Sequence, residues 1–393
     1  MKDIGQRFLV GIPGPSIDSA TESLLAENRP GGVILFARNI ESAPQVAHLC
    51  ANLRRLLGPQ LLIGLDHEGG RINRLKDLIG AIPSAIQLGF LKDKRLADEH
   101  GALTGRLLHE LGINLNFAPV LDLWLRPNTD NSVPDRCWSR APDEVSKLAG
   151  AFLAAMQKEG VIGCGKHFIG YGASDKDPHL LLPQVNRTRR QLLREDLAPY
   201  RELFPPFTQY KRKKGAATRK HPRKRSSRYN PAHLQMIMLA HAHLRAYHGR
   251  QPTPACISSR VAFDLLRNRL RFDGITLTDD LEMGAIIRTM TLPQAVLRCL
   301  QAGVDMILIS HNAKAMQKGF HAARQAFKRG LIKESLLDAS DRRLGHLFSI
   351  LTPPPNFSPH RFGAAVHDIR RFAEKVHETL PSSMRPMKKA AGA

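Results

Sequence analysis

The chain has 393 residues and no apolar run near the roughly 18–20 residues needed to span a bilayer. The apolar patch near its start, 8–12, is cut off by Pro13 and Pro15 and is too short for a secretory signal core. Cysteine is sparse and odd in number. Cys50, Cys137, Cys164, Cys256 and Cys299 are scattered without metal-type spacing, so reduced thiols are expected. These absences point to the cytoplasm. Acidic residues are missing from one segment in particular. Residues 211–228 hold ten Lys/Arg and no Asp or Glu, so much of the formal charge of +23 sits there rather than over the whole surface. A run of like charge is expected to be disordered or a surface arm.

What is present is a repeat of short apolar runs and longer amphipathic stretches. Candidate strands are 8–12, 32–36, 61–65, 115–121, 161–165, 236–240, 274–277 and 305–309. Between and after them lie candidate helices at 17–27, 43–57, 94–111, 142–159, 189–203, 260–270, 292–302 and 315–330, with apolar residues at three- and four-residue spacing. Gly160 and Gly330 act as stop signals. Eight such units predict an α/β fold, a closed (β/α)8 TIM-type barrel, in one domain over 1–352; an open doubly wound sheet would follow if two strands were wrong. Hydrophobic content of 42% suffices for its core. After three prolines at 353–355, the extension 353–393 is expected to hold one helix, 367–380, and a disordered end from Pro381.

Ionisable residues cluster just past the strands, where a barrel enzyme carries its chemistry. The richest stretch, 165–183, reads GKHFIGYGASDKDPHLLLP. In an extended loop Asp177 and His179 would point to the same side. The carboxylate would then fix the imidazole tautomer and leave the other nitrogen for proton transfer; two solvated loop residues are the plain alternative. Asp66–Arg74 follows the third strand, Asp122 and a loop with Asp130, Asn131, Asp135 and Arg136 the fourth, Lys166-His167 the fifth, His241 and His243 the sixth, and Thr278–Met283 the seventh. Asp279 or Asp280 could also cap a following helix. His67 and Glu68 read as braces of their loop, His241 and His243 as packing groups, and Glu282 as a helix-surface residue. Trp124 and Trp138 could stack on a sugar or lie in the core.

With GGVILFARN, IGLDHEGGRINRL, LNFAPVLDL, KHF…D-x-H and FDGITLTDDLEMGAI in this order, the chain resembles the glycoside hydrolase family 3 β-N-acetylglucosaminidases of peptidoglycan recycling, over about residues 5–350. The resemblance implies a retaining enzyme that removes non-reducing terminal β-linked N-acetylglucosamine from muropeptides through a covalent glycosyl-enzyme. By the family pattern Asp279 is the nucleophile, His179 the acid/base and Asp177 the residue that orients it. Asp66, Arg74, Arg136, Lys166 and His167 match sugar-binding positions. No metal or organic cofactor is implied, and a monomer is expected. The alternatives are a phosphorylase on the same barrel, since a histidine does not repel phosphate, and a weakly active protein that binds polyanions through 211–228.

Three departures stand out. The family's K-H-F-P-G-H-G is Lys-His-Phe-Ile169-Gly-Tyr171-Gly here, and its D-S-H is Asp177-Pro178-His179. Proline at 178 should stiffen the loop and favour extended backbone at Asp177. The third is an insertion, 205–231, far longer than the roughly two to six residues usual in such a connection. It lies before the sixth strand, opposite the expected active-site face.

Overall fold

The structure, a computed structural model, describes residues 4–126, 129, 131–205 and 229–384. Eight parallel strands close into a barrel: β1 (Phe8–Gly11), β2 (Gly32–Leu35), β3 (Leu62–Leu65), β4 (Leu115–Asn116), β5 (Ile162–Phe168), β6 (Met236–Leu239), β7 (Ile275–Asp280) and β8 (Met306–Ile309). Each strand pairs with its neighbours in sequence, and β1 closes the ring on β8 with Val10 opposite Ile309. Side chains alternate along the strands. Leu9, Ile34, Leu62, Cys164, Met238, Leu277 and Leu308 fill the barrel. Val10, Val33, Ile63 and Ile307 face outward onto the helices. Helices Ala43–Leu57, Lys94–Glu110, Pro142–Lys158, Leu292–Gln301 and Ala313–Lys328 lie where the sequence predicts them.

Four details differ from the sequence expectation. The fourth strand was expected over 115–121 but forms a ladder only at Leu115–Asn116. Pro119 has no N–H to donate there. Its carbonyl still accepts from Lys166 N–H at 3.1 Å, and Leu121 N–H donates to Lys166 O at 2.6 Å, so β5 holds the segment beyond it. Helix Glu334–Ser349 has no counterpart in the sequence reading; its Leu344 and Leu347 join the barrel's inner cluster. The final helix begins at Pro359 rather than 367, because Ser358 Oγ accepts from Arg361 N–H and caps it. It runs to Thr379 and is fastened to the barrel by Arg361, whose guanidinium meets both Glu110 oxygens at 2.9 and 3.0 Å. Pro381–Met384, expected to be disordered, makes a turn anchored by buried Leu380 and by Gln87 Nε2–H donating to Met384 O at 2.8 Å. The rest of that tail and the whole of the basic segment 211–228 lie outside the described residues, as does Asp130. The described flanks of the insertion meet where Leu234 N–H donates to Leu203 O at 2.8 Å, just before β6 and on the face opposite the strands' C-terminal ends.

That lower face is tied by a buried carboxylate. Asp305 is fully buried; Arg267 reaches its Oδ2 at 2.5 Å, Arg343 its Oδ1 at 2.6 Å, and Thr276 N–H and Oγ–H donate to it at 2.9 Å each. Burial would raise the carboxyl's pKa, but the two guanidinium charges hold it below the usual range. Removing such a group strands two cations. Asp305→Ala is expected to cost about 3–5 kcal/mol in urea unfolding. A change under about 1 kcal/mol would show that water screens the arginines.

Candidate active site

The C-terminal ends of the strands open into a cavity of about 330 Å³. Its lining includes Asp66, Arg74, Arg136, Lys166, His167, His179 and Asp279, seven of the eight site residues expected from the sequence. Asp177, the eighth, stands directly behind His179.

The wall on one side is a charge network shared by two loops and the end of β5. Lys166 points from β5 into an almost dry position, with Nζ 2.6 Å from Asp66 Oδ1 and 2.6 Å from Glu68 Oε1. Arg136 forks onto Glu68 with two contacts of 2.8 Å. Burial would raise the Glu68 carboxyl, but Arg136 and Lys166 hold it well below the carboxylate range. Burial would likewise discharge Lys166, yet Asp66 and Glu68 keep its pKa raised. Glu68 is therefore more than a loop brace: it lines the cavity and joins two of its cations. His67 is fully buried, and its backbone is pinned by Asn116 at 3.0 and 2.8 Å. His167 follows Lys166 on β5, where the Lys166–His167 and Phe168–Ile169 peptide bonds are cis. Its Nδ1 lies 2.7 Å from Asp122 Oδ2, and its Nε2 lies 3.5 Å from Arg136. A guanidinium can only donate, so Nδ1 carries the His167 proton.

Across the cavity, β7 presents two adjacent carboxyls in different environments. Burial acts to raise Asp279, but the imidazoles of His241, His167 and His179 and the N–H of Asp280 hold it below the usual range. Asp280 is pushed up to about 7, chiefly by burial, although Glu282 N–H and Ser310 Oγ–H donate to it. Neither aspartate caps the next short helix, Gly284–Ile287. His241 packs behind them as expected, its Nε2 2.9 Å from Asp280 O. His243 likewise packs, between Gly249 O and Thr253 N–H. Tyr171, which replaces the family's histidine, stacks on His167 at 4.7 Å, and its hydroxyl accepts from His241 N–H at 2.7 Å.

The Asp177–His179 pair forms, but by a turn rather than an extended loop. Asp177 Oδ1 accepts from His179 N–H at 2.9 Å and from Nδ1–H at 2.6 Å, while Leu180 and Leu181 N–H donate to Asp177 O. Pro178 supplies the φ that starts such a turn. The turn rests on the β7 loop, where Gly284 N–H donates to His179 O at 3.0 Å and Ala285 N–H to Pro178 O at 3.1 Å. This seats the imidazole beside the loop that carries Asp279.

Other expectations are corrected. Glu282 is not a helix-surface residue: its carboxylate accepts from Ser310, His311 and Asn312 N–H at 3.0, 2.7 and 3.1 Å and lines the cavity. Trp138 is buried in the core and Trp124 packs against it; neither lines the cavity. Phe36, Ser310 and His311 do line it and were not singled out. The signal was available, since Phe36 and Ser310 directly follow β2 and β8 and His311 comes one residue later.

The family model for the glycosyl hydrolase family 3 N-terminal domain matches residues 2–205 and 229–347. A β-hexosaminidase of Idiomarina loihiensis is 31% identical over 310 residues, covering 78% of this chain and 84% of that one. One from Chromobacterium violaceum is 33% identical over 308 residues, 77% of each chain. A solved glycoside hydrolase family 3 β-N-acetylglucosaminidase from Paenibacillus sp. str. FPU-7 superposes with a TM-score of 0.80 at 29% identity, over 95% of this chain and 68% of that one.

Beneath the Lys166 wall, His67 and His100 are buried with no hydrogen-bond partner on either ring among the described residues. Burial lowers His67 to about 4, helped by Arg74, and His100 to about 3, helped by His67. The unfolded chain takes up these protons near pH 6.5, before the folded one does, so stability falls as pH drops below about 6.5 and the penalty is complete near pH 3. His100 stacks on Phe372, so His100→Phe should keep the packing and flatten the loss. Urea midpoints at pH 4.5 and 7 check this; an equal drop in wild type and variant refutes it.

Proposed function

As a member of glycosyl hydrolase family 3 the chain is a glycoside hydrolase, and from that premise we propose that it removes terminal β-linked N-acetylglucosamine by a two-step retaining mechanism. The observation that carries this reading is an ionised Asp279 sharing one cavity with an imidazole whose far nitrogen is held by a carboxylate. In the first step an Asp279 oxygen attacks the anomeric carbon while His179 Nε2–H protonates the departing glycosidic oxygen. The carbon–oxygen bond breaks and a glycosyl ester forms. In the second, neutral His179 Nε2 takes a proton from water, the water oxygen attacks the anomeric carbon, and Asp279 leaves as carboxylate. Asp177 accepts from Nδ1–H throughout, so the imidazolium formed in the second step is stabilised where it arises.

Lys166, Arg136 and Arg74 offer donors and Asp66 and His167 Nε2 acceptors, and these would bind the hydroxyls of the sugar. Their fixed positions would penalise a sugar that lacks one. A muropeptide released from peptidoglycan is the substrate this reading favours. Five buried free thiols support a reducing compartment, the cytoplasm. No helix among the described residues is long and apolar enough to cross a membrane.

The test is release of 4-nitrophenol from the N-acetyl-β-glucosaminide and from the β-glucoside. Turnover of the first only is expected. His179→Ala should lower it by about 10²–10⁴-fold, and Asp279→Asn should leave less than about a thousandth. Full activity in Asp279→Asn would overturn the nucleophile assignment and turn attention to Asp280.

A further inference from the structure

The rim of the cavity beside β8 holds a second imidazole. His311 follows Ser310 at the end of that strand, and both line the cavity with Asp280. Arg38 approaches His311 Nδ1 at 3.2 Å while its other nitrogens donate to Ile12 O at 2.9 Å and Ser310 O at 2.8 Å. Because the guanidinium has no acceptor, His311 Nδ1 must accept and Nε2 must carry the proton. The His311 ring lies 5.0 Å from Phe36, with Arg38 stacked on the same phenyl ring at 4.5 Å.

The backbone under it is equally fixed. Glu282 holds the three N–H groups of Ser310, His311 and Asn312. Ser310 Oγ–H and Glu282 N–H each take one oxygen of Asp280. Neither carboxyl is therefore free to rotate. His311 Nε2 stands 3.8 Å from Asp280 Oδ2, too far for a hydrogen bond between them. That gap leaves room for one oxygen about 2.8 Å from each group. An oxygen there would accept from Nε2–H and donate to the carboxyl, which describes a hydroxyl group. Burial and the neighbouring Arg38 lower the His311 pKa, so the ring is a neutral donor in neutral buffer.

We infer that His311 and Asp280 form a hydroxyl-reading pair of the sugar subsite, the imidazole donating to one hydroxyl of the bound N-acetylglucosaminyl unit and Asp280 accepting from it. This rests on the function proposed above, because Asp280 adjoins the nucleophile assigned there. Such a site discriminates by subtraction: a sugar without that hydroxyl leaves a donor and an acceptor unpaired. His311 would then set specificity by direct contact, and Arg38 would act as a positioning residue through its hold on Nδ1.

The 3-, 4- and 6-deoxy analogues of 4-nitrophenyl N-acetyl-β-glucosaminide test this against the parent. Wild type is expected to lose at least about 10²-fold in kcat/KM on one of the three. In His311→Ala that ratio should collapse to a few-fold, while the ratios for the other two stay as in wild type. His311→Gln, which keeps an N–H donor, should recover part of the discrimination. The side chain of His311 is 56% exposed, so these variants should fold. A uniform loss on all four substrates in His311→Ala, with the ratios unchanged, would mean a merely structural role and overturn the inference. So would a wild type that loses only a few-fold on all three analogues. Turnover of the parent by wild type reports the proposed function separately; its absence overturns that reading and this one together.

Discussion

The buried ammonium of Lys166 is the constraint on which the site depends. An almost dry cation must be neutralised where it stands, and among the described residues Asp66 and Glu68 pair with it. Both come from the loop after β3. Glu68 in turn holds Arg136 from the loop after β4, and Arg136 reaches His167 beside Lys166 on β5. Two loops and the end of β5 are thus locked to one another by charge, in addition to the backbone bonds of Lys166. The lock holds Asp66, Glu68, Arg136, Lys166 and His167 together in the cavity lining. The cavity wall is already organised, and little further ordering has to be paid when a ligand binds.

The two aspartates of β7 show how environment separates like groups. They adjoin in sequence and their side chains differ by nothing but surroundings. Asp279 has imidazoles around it, which favour its anion. Asp280 has a hydroxyl and an amide but also the charges of Glu282 and Asp279 nearby, and burial prevails. A carboxyl held below the usual range and one pushed up to about 7 can therefore sit side by side.

The departures from the family motif settle into compatible places. Tyr171 keeps its ring on His167 and accepts from the His241 amide. Ile169 is fully buried and is absorbed by the core. Pro178 begins the turn in which Asp177 bonds both the amide and the ring of His179. Tyr171 and Pro178 themselves line the cavity, alongside seven of the expected site residues.

Much of this protein was legible in the sequence. Periodicity alone placed all eight barrel strands, because a buried parallel strand must be short and apolar and the helices between must be amphipathic. The rule that chemistry sits past the strand ends pointed to Asp66, Arg136, Lys166, His167, His179 and Asp279, which all line one cavity, since local polarity against an apolar run is a one-dimensional signal. Contacts between distant segments were not legible. Glu282 reads as a surface residue until β8 brings the amides of Ser310, His311 and Asn312 to its carboxylate, and helix Glu334–Ser349 has no assigned place until Leu344 and Leu347 meet the barrel interior. Sequence likewise left Asp279 and Asp280 equivalent by chemistry. Only the fold separated them, because a carboxyl's proton affinity is set by the charges and the burial that tertiary structure places around it.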